Sequence, residues 1–162
     1  MEPAPPRVRR GEAGSDGLTR RPLGPVLSFM RSLWGLNHAL ETTSRRMKAH
    51  LGVTGPERMV VRLVGRYPGI SAGELARLMR VHPSTLTRLL KRLARRGLLT
   101  RRADASDARR ALFMLTAAGE SVDKVRRGTV EAAVSVALEA LPSRDVLAAA
   151  SVLDALAGAM ER

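Results

Sequence analysis

Six polar or cationic side chains fall between residues 84 and 92, on a segment that could present them on one surface. They are Ser84, Thr85, Thr87, Arg88, Lys91 and Arg92. Hydroxyl and guanidinium groups can hydrogen-bond to the edges of nucleic-acid bases, and the cationic groups can also neutralise phosphates. The chemistry that this set predicts is recognition of a polyanion, with no covalent bond made or broken.

A second charged group follows around a short loop. It comprises Arg101, Arg102, Asp107, Arg109 and Arg110. Residues 71–110 hold eleven Arg and Lys against three Asp and Glu, whereas residues 111–162 carry a small negative excess. Because most of the +13 formal charge is concentrated in one quarter of the chain, nucleic acid is the leading candidate partner. An alternative source of the charge is an arginine-rich composition, since only three of the 28 basic residues are Lys.

Composition excludes several other chemistries. The absence of cysteine removes disulfides, thiolate metal sites and cysteine nucleophiles. His38, His50 and His82 lack metal-ligand spacing, so no metal site is predicted. No glycine-rich phosphate loop, paired carboxylates or Ser/His/Asp arrangement stands out, and we therefore predict no catalytic residue, no cofactor and no enzymatic activity.

Length and hydropathy limit the architecture. A chain of 162 residues with 2% aromatic residues suggests one domain with a core of Ala, Leu, Val and Met, which favours helices. Residues 1–22 are rich in Pro, Gly and charge and are expected to be a disordered arm. No signal peptide and no membrane span are found, so a cytoplasmic protein is expected.

Capping signals mark the helices that must position the charged residues. An amphipathic helix is predicted from Leu23 to Leu51, and capping boxes begin further helices at Thr54 and Ser71. The second helix is expected to bury Met59, Val60, Leu63 and Val64, and the third to bury Leu75, Ala76, Leu78 and Met79.

The segment bearing the first charged group is predicted to be the next helix. Pro83 can occupy its first turn, and Gly97 can end it in a left-handed conformation. Its apolar residues share one face, because they recur at helical spacing. They are Leu86, Leu89, Leu90 and Leu93.

Short extended runs at 98–102 and 111–115 predict a two-stranded hairpin around the second charged group. Thr116 is expected to cap one helix that carries apolar residues as far as Leu141, and a last helix follows from Ser143. Two short helices joined by a tight turn and followed at once by a hairpin form a winged helix-turn-helix. The predicted fold is mainly α with a small β-hairpin wing.

At this point the chain resembles the MarR family of winged-helix transcriptional regulators. The resemblance lies in Gly-Glu-Leu-Ala at residues 73–76, the helix and turn at 81–99, the loop at 101–110 and Leu-Thr-Ala-Ala-Gly at 115–119. It implies that Arg109 enters the minor groove of DNA and that Asp107 orients it. Many members have Arg directly after the wing Asp, where this chain has Ala108, whereas Arg109 occupies the usual wing position.

The resemblance also implies a homodimer that reads a pseudo-palindromic site in double-stranded DNA as a repressor. The expected domains are a dimerisation helix at 23–53, the winged helix-turn-helix at 54–118 and dimerisation helices at 119–162. Family members commonly release DNA on binding a small aromatic or anionic effector. The candidate effector residues here are Trp34, His38, Arg62 and Arg66.

Two other classes compete with a regulator. A sequence-tolerant architectural DNA- or RNA-binding protein would use the positive charge equally well, and would bind with steep salt dependence and without preference for a palindrome. An enzyme lacks any recognisable constellation. The sequence indicates neither the operator and target genes nor whether the chain represses or activates.

Overall fold

A computed structural model describes residues 22–107 and 110–160 of the chain. The expected arm at 1–22 therefore lies outside the described residues except for Pro22, and so does Arg109. In chain order the elements are α1 (Pro25–Leu51), α2 (Gly55–Arg66), β1 (Ile70–Ser71), α3 (Ala72–Met79), α4 (Pro83–Arg95), β2 (Leu99–Ala103), β3 (Ala111–Leu115), α5 (Ala117–Lys124), α6 (Val130–Glu139) and α7 (Ser143–Met160).

The chain divides into two compact units within α1. The first ends at Asn37 and contains the N-terminal half of that helix, where several large apolar side chains are exposed. The second unit runs from His38 onward and contains the buried core. The core, the sheet and the charged surface all lie within this second unit.

Both predicted capping boxes are confirmed. The Thr54 amide donates to Glu57 Oε2 at 2.9 Å, and the Glu57 amide returns to Thr54 Oγ1 at 3.4 Å. The same reciprocal pair joins Ser71 and Glu74, at 2.9 Å and 3.3 Å. Because each cap satisfies backbone donors that the first turn leaves free, α2 and α3 begin where the sequence places them.

The core lies between α2, α3, α4 and the sheet. The apolar face predicted for α4 is confirmed, since Leu86, Leu89, Leu90 and Leu93 are all buried. Each such leucine contributes about 1.5–3 kcal/mol when it leaves water. Gly97, with φ of +68°, then ends the turn after α4 as predicted.

Two inward assignments were wrong. Met59 is 47% exposed and Leu78 is 50% exposed, whereas Val61 is fully buried. For Met59, the reason is that the apolar arc of α2 is centred one residue further along the helix than the sequence pattern suggested. For Leu78, the reason is that α3 is only eight residues long and the last turn of α3 lies at the surface.

The sheet has three antiparallel strands in the order β1-β3-β2, one more than predicted. Leu99 pairs with Leu115 and Ala103 with Ala111 across the hairpin. Ile70 pairs with Phe113 on the other side of β3. The extra strand ties the hairpin to the residues that precede α3, so the wing base and the helix-turn-helix share one sheet.

The single helix predicted after Thr116 is in fact two. Thr116 caps α5 as expected, but α5 ends at Lys124 and α6 begins at Val130. Gly128 adopts φ of +71° between them, and the buried Thr129 caps α6 through its hydroxyl, which accepts from the Ala132 amide at 3.2 Å. The expected domain boundary at residue 118 thus falls within α5, a helix that packs on α2 and β3.

No residue of α6 or α7 is buried. Both helices expose large apolar side chains, and these include Val134, Val136, Leu138, Leu147, Val152, Leu153 and Met160. Across residues 22–107 and 110–160, no helix combines the length and apolar character needed to cross a membrane.

Candidate nucleic-acid interface

The first turn of α4 is organised by its own polar side chains. His82 caps the helix, with Nδ1 accepting from the Ser84 amide at 3.3 Å and lying 2.8 Å from Ser84 Oγ. Thr87 Oγ1 donates to the Pro83 carbonyl at 2.8 Å. Ser84 and Thr87 are exposed and Thr85 is half-buried. The hydroxyl oxygens are therefore held in place at the surface and retain acceptor capacity for an outside donor.

The outer face of α4 carries cations that have no carboxylate partner among the described residues. Arg88, Lys91 and Arg95 are exposed and, together with Thr85, border a surface depression of about 340 Å³. Because Leu86, Leu89, Leu90 and Leu93 fix the opposite side in the core, these cations cannot turn inward. This face of α4 is charged, and a DNA major groove is wide enough to admit an α-helix.

Arg92 differs from its neighbours. Its Nε lies 3.1 Å from Glu57 Oε1, and Arg96 Nη1 lies 3.9 Å from Glu57 Oε2. Only 5% of the Glu57 side chain is exposed, and the same carboxylate caps α2. Arg92, singled out by sequence as a DNA contact, thus ties α4 to α2 in the structure, while about half of its side chain remains exposed.

The wing contributes Arg101 to the same surface. Arg101 is exposed on β2 and borders a depression of about 310 Å³ together with Thr87 and Lys91 of α4. Arg102, the next residue, is also exposed but does not line that depression. The structure therefore brings one of the two predicted β2 arginines together with the outer face of α4.

The loop of the wing is closed by backbone hydrogen bonds. The Asp104 amide donates to the Arg110 carbonyl at 2.9 Å, and the Arg110 amide donates to the Asp107 carbonyl at 2.8 Å. The pKa of Asp104 is lowered because the amide and hydroxyl of Ser106 donate to its carboxylate. Asp107 is exposed, and Arg109, to which the sequence assigns the minor-groove contact, lies outside the described residues.

Arg110, also predicted to contact DNA, points to α3 instead. Its Nη2 lies 2.9 Å from Glu74 Oε1 and donates to Ser71 Oγ at 3.4 Å, and its Nε lies 3.9 Å from Asp104 Oδ2. We call Arg110, Glu74, Ser71 and Asp104 the wing clamp. Hydrogen bonds from Ser71, together with the bond and charge of Arg110, lower the pKa of Glu74 to about 2. The same carboxylate raises the pKa of Arg110.

The candidate effector residues have unequal freedom. Arg62 Nη1 lies 2.7 Å from Asp123 Oδ1, and its Nε lies 3.8 Å from Glu131 Oε1, so two carboxylates already neutralise its charge. Arg66 is exposed at the end of α2. Trp34 is 63% exposed and His38 is also exposed. An effector site at these four residues stays a prediction.

Sequence reasoning missed Arg58, which is 1% exposed. Its Nε lies 2.6 Å from Glu131 Oε1, and its other nitrogens donate to the carbonyls of Val122, Asp123 and Val125. Three of these acceptors belong to the end of α5 and one to α6. The inward face predicted for α2 gave no signal for it, because Arg58 shares a face with Val61, which the sequence pattern did not place inward.

Comparison with known proteins supports this geometry. A family model described as MarR family matches residues 51–110. The chain is 36% identical over 83 residues to the HTH-type transcriptional repressor Rv2887 of Mycobacterium tuberculosis. These 83 residues make up 51% of this chain and cover 60% of that relative. The chain thus matches less than two thirds of the length of that curated relative.

Two solved structures share the fold over most of their length. The crystal structure of the S. aureus MepR–DNA complex superposes with a TM-score of 0.68 at 16% identity, covering 82% of this chain and 97% of that one. The PcaV regulator from Streptomyces coelicolor, solved with its natural ligand, gives 0.65 at 24% identity, covering 91% and 99%. These likenesses establish the winged-helix architecture. The segment 51–110, which contains α2, the helix-turn-helix and the wing loop, is similar to the MarR family, whose model it matches.

Proposed function

We propose that this protein is a transcriptional regulator that binds double-stranded DNA in a sequence-specific manner. The observation that carries the proposal is the outer face of α4, where Arg88, Lys91 and Arg95 are exposed and unpaired among the described residues while four leucines hold the other face in the core. A helix fixed in this way can enter a major groove with its early residues at base edges and its cations near phosphates.

The comparisons support the same function. The relative named above is a transcriptional repressor, and the MepR structure is a DNA complex. Repression is therefore the mode of regulation that we propose. The site residues proposed for base contact are Ser84, Thr85, Thr87 and Arg88, and those proposed for the wing are Arg101, Arg102, Asp107 and Arg109.

The proposed assembly is a homodimer on a pseudo-palindromic operator. Its support is the exposed apolar surface of α6 and α7, because large apolar side chains that stay exposed along two helices mark a surface for a partner. A two-fold dimer would place two copies of α4 about 34–36 Å apart, one helical turn of DNA. Release by a small effector is the corresponding proposal for control, supported by the ligand-bound PcaV structure.

A selection experiment tests the proposal. Duplexes bound by the purified protein are selected from a random pool and then footprinted. A symmetric consensus with half-sites one turn apart is expected. A featureless pool with strong binding would overturn specificity and favour the architectural protein that the +13 charge could also serve.

Substitution of α4 refines the test. Arg88→Ala is expected to relax base preference at one position of each half-site, whereas Lys91→Ala should weaken all duplexes about equally. Arg144→Ala is the matched control, because the Arg144 side chain is 86% exposed at the start of α7 and lies outside the proposed DNA interface. An equal loss on consensus and random duplexes for Arg88→Ala would make that residue a phosphate contact.

A further inference from the structure

The base of the wing is joined to the start of α3 through one arginine. Arg110 follows the loop that begins at Asp104, and its guanidinium reaches Glu74 at 2.9 Å, Ser71 at 3.4 Å and Asp104 at 3.9 Å. Glu74 is itself held by the Ser71 amide at 2.9 Å and the Ser71 hydroxyl at 2.6 Å. The wing clamp therefore connects the cap of α3 to the two described ends of the wing loop, Asp104 and Arg110.

The charges in the clamp decide what Arg110 can do. Two carboxylates, those of Glu74 and Asp104, lie within 4 Å of its guanidinium. A guanidinium neutralised in this way gains little by approaching a phosphate, because it must first leave its carboxylate partners. Arg101 and Arg102, in contrast, have no carboxylate partner among the described residues, and both are exposed on the wing.

We propose that Arg110 is a positioning residue, and that the Arg110–Glu74 pair holds the wing loop in the orientation that DNA binding requires. Arg110 then affects DNA binding by pairing with Glu74, which holds the wing loop in place, and it makes no direct contact with DNA. The inference rests on the proposed function and deepens it, because it replaces one predicted contact and assigns a role in DNA binding to an acidic residue.

The proposal predicts an unusual sign for one substitution. Glu74→Gln removes a negative charge from the positively charged segment at residues 71–110, so general electrostatics would make binding to DNA tighter. If the clamp positions the wing, the same substitution instead weakens binding to the selected operator by about fivefold to tenfold, the net contribution of one typical hydrogen bond. Gln also serves at this position of a capping box, so α3 should remain intact.

The experiment measures operator affinity by fluorescence anisotropy over a series of salt concentrations. The variants are Glu74→Gln, Arg110→Gln and the double variant, with Arg102→Gln as a direct wing contact for comparison and Arg144→Gln as a neutral control. The two single variants should lose similar affinity for the operator, the double variant no more than either one, and the salt slope should stay that of the wild type. Arg102→Gln should reduce the slope by about one.

Three results would overturn the proposal. Tighter binding by Glu74→Gln would show that general charge governs the residue. Additive losses in the double variant would show that the two residues act separately. A salt slope reduced by about one in Arg110→Gln would make that residue a phosphate contact.

Failure of the proposed function is distinguishable from failure of the clamp. If the wild type shows no preference for any selected duplex, hydrogen exchange of the Asp104 and Arg110 amides tests the clamp without DNA. Both amides close the wing loop through backbone hydrogen bonds. Faster exchange in Glu74→Gln supports the clamp, and unchanged exchange overturns it.

Discussion

Arg58 is a single buried side chain that connects two helices of this protein. Its guanidinium holds three carbonyl groups at the end of α5 and the carboxylate of Glu131 on α6. Carbonyls at the end of a helix lack partners within the helix, and a cation there also complements the helix dipole. Arg58 therefore fixes the joint between two helices that the sequence pattern had merged into one.

Arg58→Lys is expected to lower the free energy of unfolding by about 2–4 kcal/mol, although the charge is kept. A lysine ammonium is a point donor that cannot reach four acceptors in a planar fork, so buried carbonyls lose their partners. Urea unfolding followed by circular dichroism measures the change. Arg66→Lys, at an exposed site on the same helix, should stay within about 0.5 kcal/mol. Equal losses in the two variants would contradict this role for Arg58.

Glu74 predicts a pH dependence of stability. Its pKa in the folded protein is lowered from 4.5 to about 2 by the hydrogen bonds from Ser71 and by Arg110. A lowered pKa means that the folded state binds its proton less readily than the unfolded chain, so the stabilisation is fully present above about pH 4.5 and is lost as the pH falls toward 2. The difference in unfolding free energy between wild type and Glu74→Gln should therefore shrink between pH 6 and pH 2. A difference that is constant with pH would contradict the assignment.

At the scale of elements, Gly119 explains the Leu-Thr-x-x-Gly exit from the wing. Thr116 caps α5 and its hydroxyl donates to the Gly97 carbonyl at 2.6 Å, which joins the first turn of α5 to the turn between α4 and β2. A Cβ on Gly119 would meet the backbone carbonyl oxygen of Leu98 well inside van der Waals distance. The glycine is required by close approach of two backbones rather than by its own conformation.

Gly119→Ala is therefore expected to destabilise the protein by about 1–3 kcal/mol through overpacking. Gly73→Ala is the matched control on α3, because a Cβ there meets nothing within 4 Å. That substitution should be neutral or stabilising by up to about 1 kcal/mol, since alanine favours the helix. Thermal or urea unfolding gives both values. A loss of stability is expected in Gly119→Ala alone, and a neutral Gly119→Ala would contradict the packing argument.

The elements that the sequence predicted correctly share local signals. The caps at Thr54 and Ser71, the leucine face of α4 and Gly97 each depend on residues within one or two turns. What the sequence did not predict depends on distant partners. Strand β1 is two residues long and exists because Ile70 meets Phe113, and the break before α6 depends on Thr129 and Gly128 overriding a continuous apolar spacing.

In the candidate nucleic-acid interface, too, the features with local signals were predicted and those that depend on distant partners were not. The exposed face of α4 follows from periodicity, because the leucines fix which residues must point outward. Pairing does not follow from periodicity. Arg92 and Arg110 look like their unpaired neighbours in sequence, and only the fold brings Glu57 and Glu74 to them. The sequence thus predicted where the positive surface lies but not which arginines hold the scaffold.

At the scale of the whole molecule, the strongest positive charge and the exposed apolar residues of α6 and α7 lie in different parts of the chain. Residues 71–110 carry a large positive excess, while α6 and α7 belong to a slightly acidic segment with exposed apolar residues. A surface without strong charge can bury a second copy with little repulsion, and the basic segment stays available to a polyanion. This separation is what a dimeric DNA-binding protein requires.

The proposed dimer is tested on α7. Leu153 is 45% exposed and lies on the apolar stripe with Val146 and Met160, whereas Ala148 is exposed on the opposite side of the helix. Leu153→Glu would bury a carboxylate in the dimer interface, and we expect it to give monomers in sedimentation velocity over a dilution series in which the wild type stays dimeric. Ala148→Glu, which adds the same charge to the same helix, should remain dimeric.

Binding to a two-half-site operator should fall with the dimer in Leu153→Glu, while unchanged α-helical circular dichroism shows that the helices persist. A monomeric wild type, or a Leu153→Glu variant that sediments as the wild type does, would contradict an interface formed by α7.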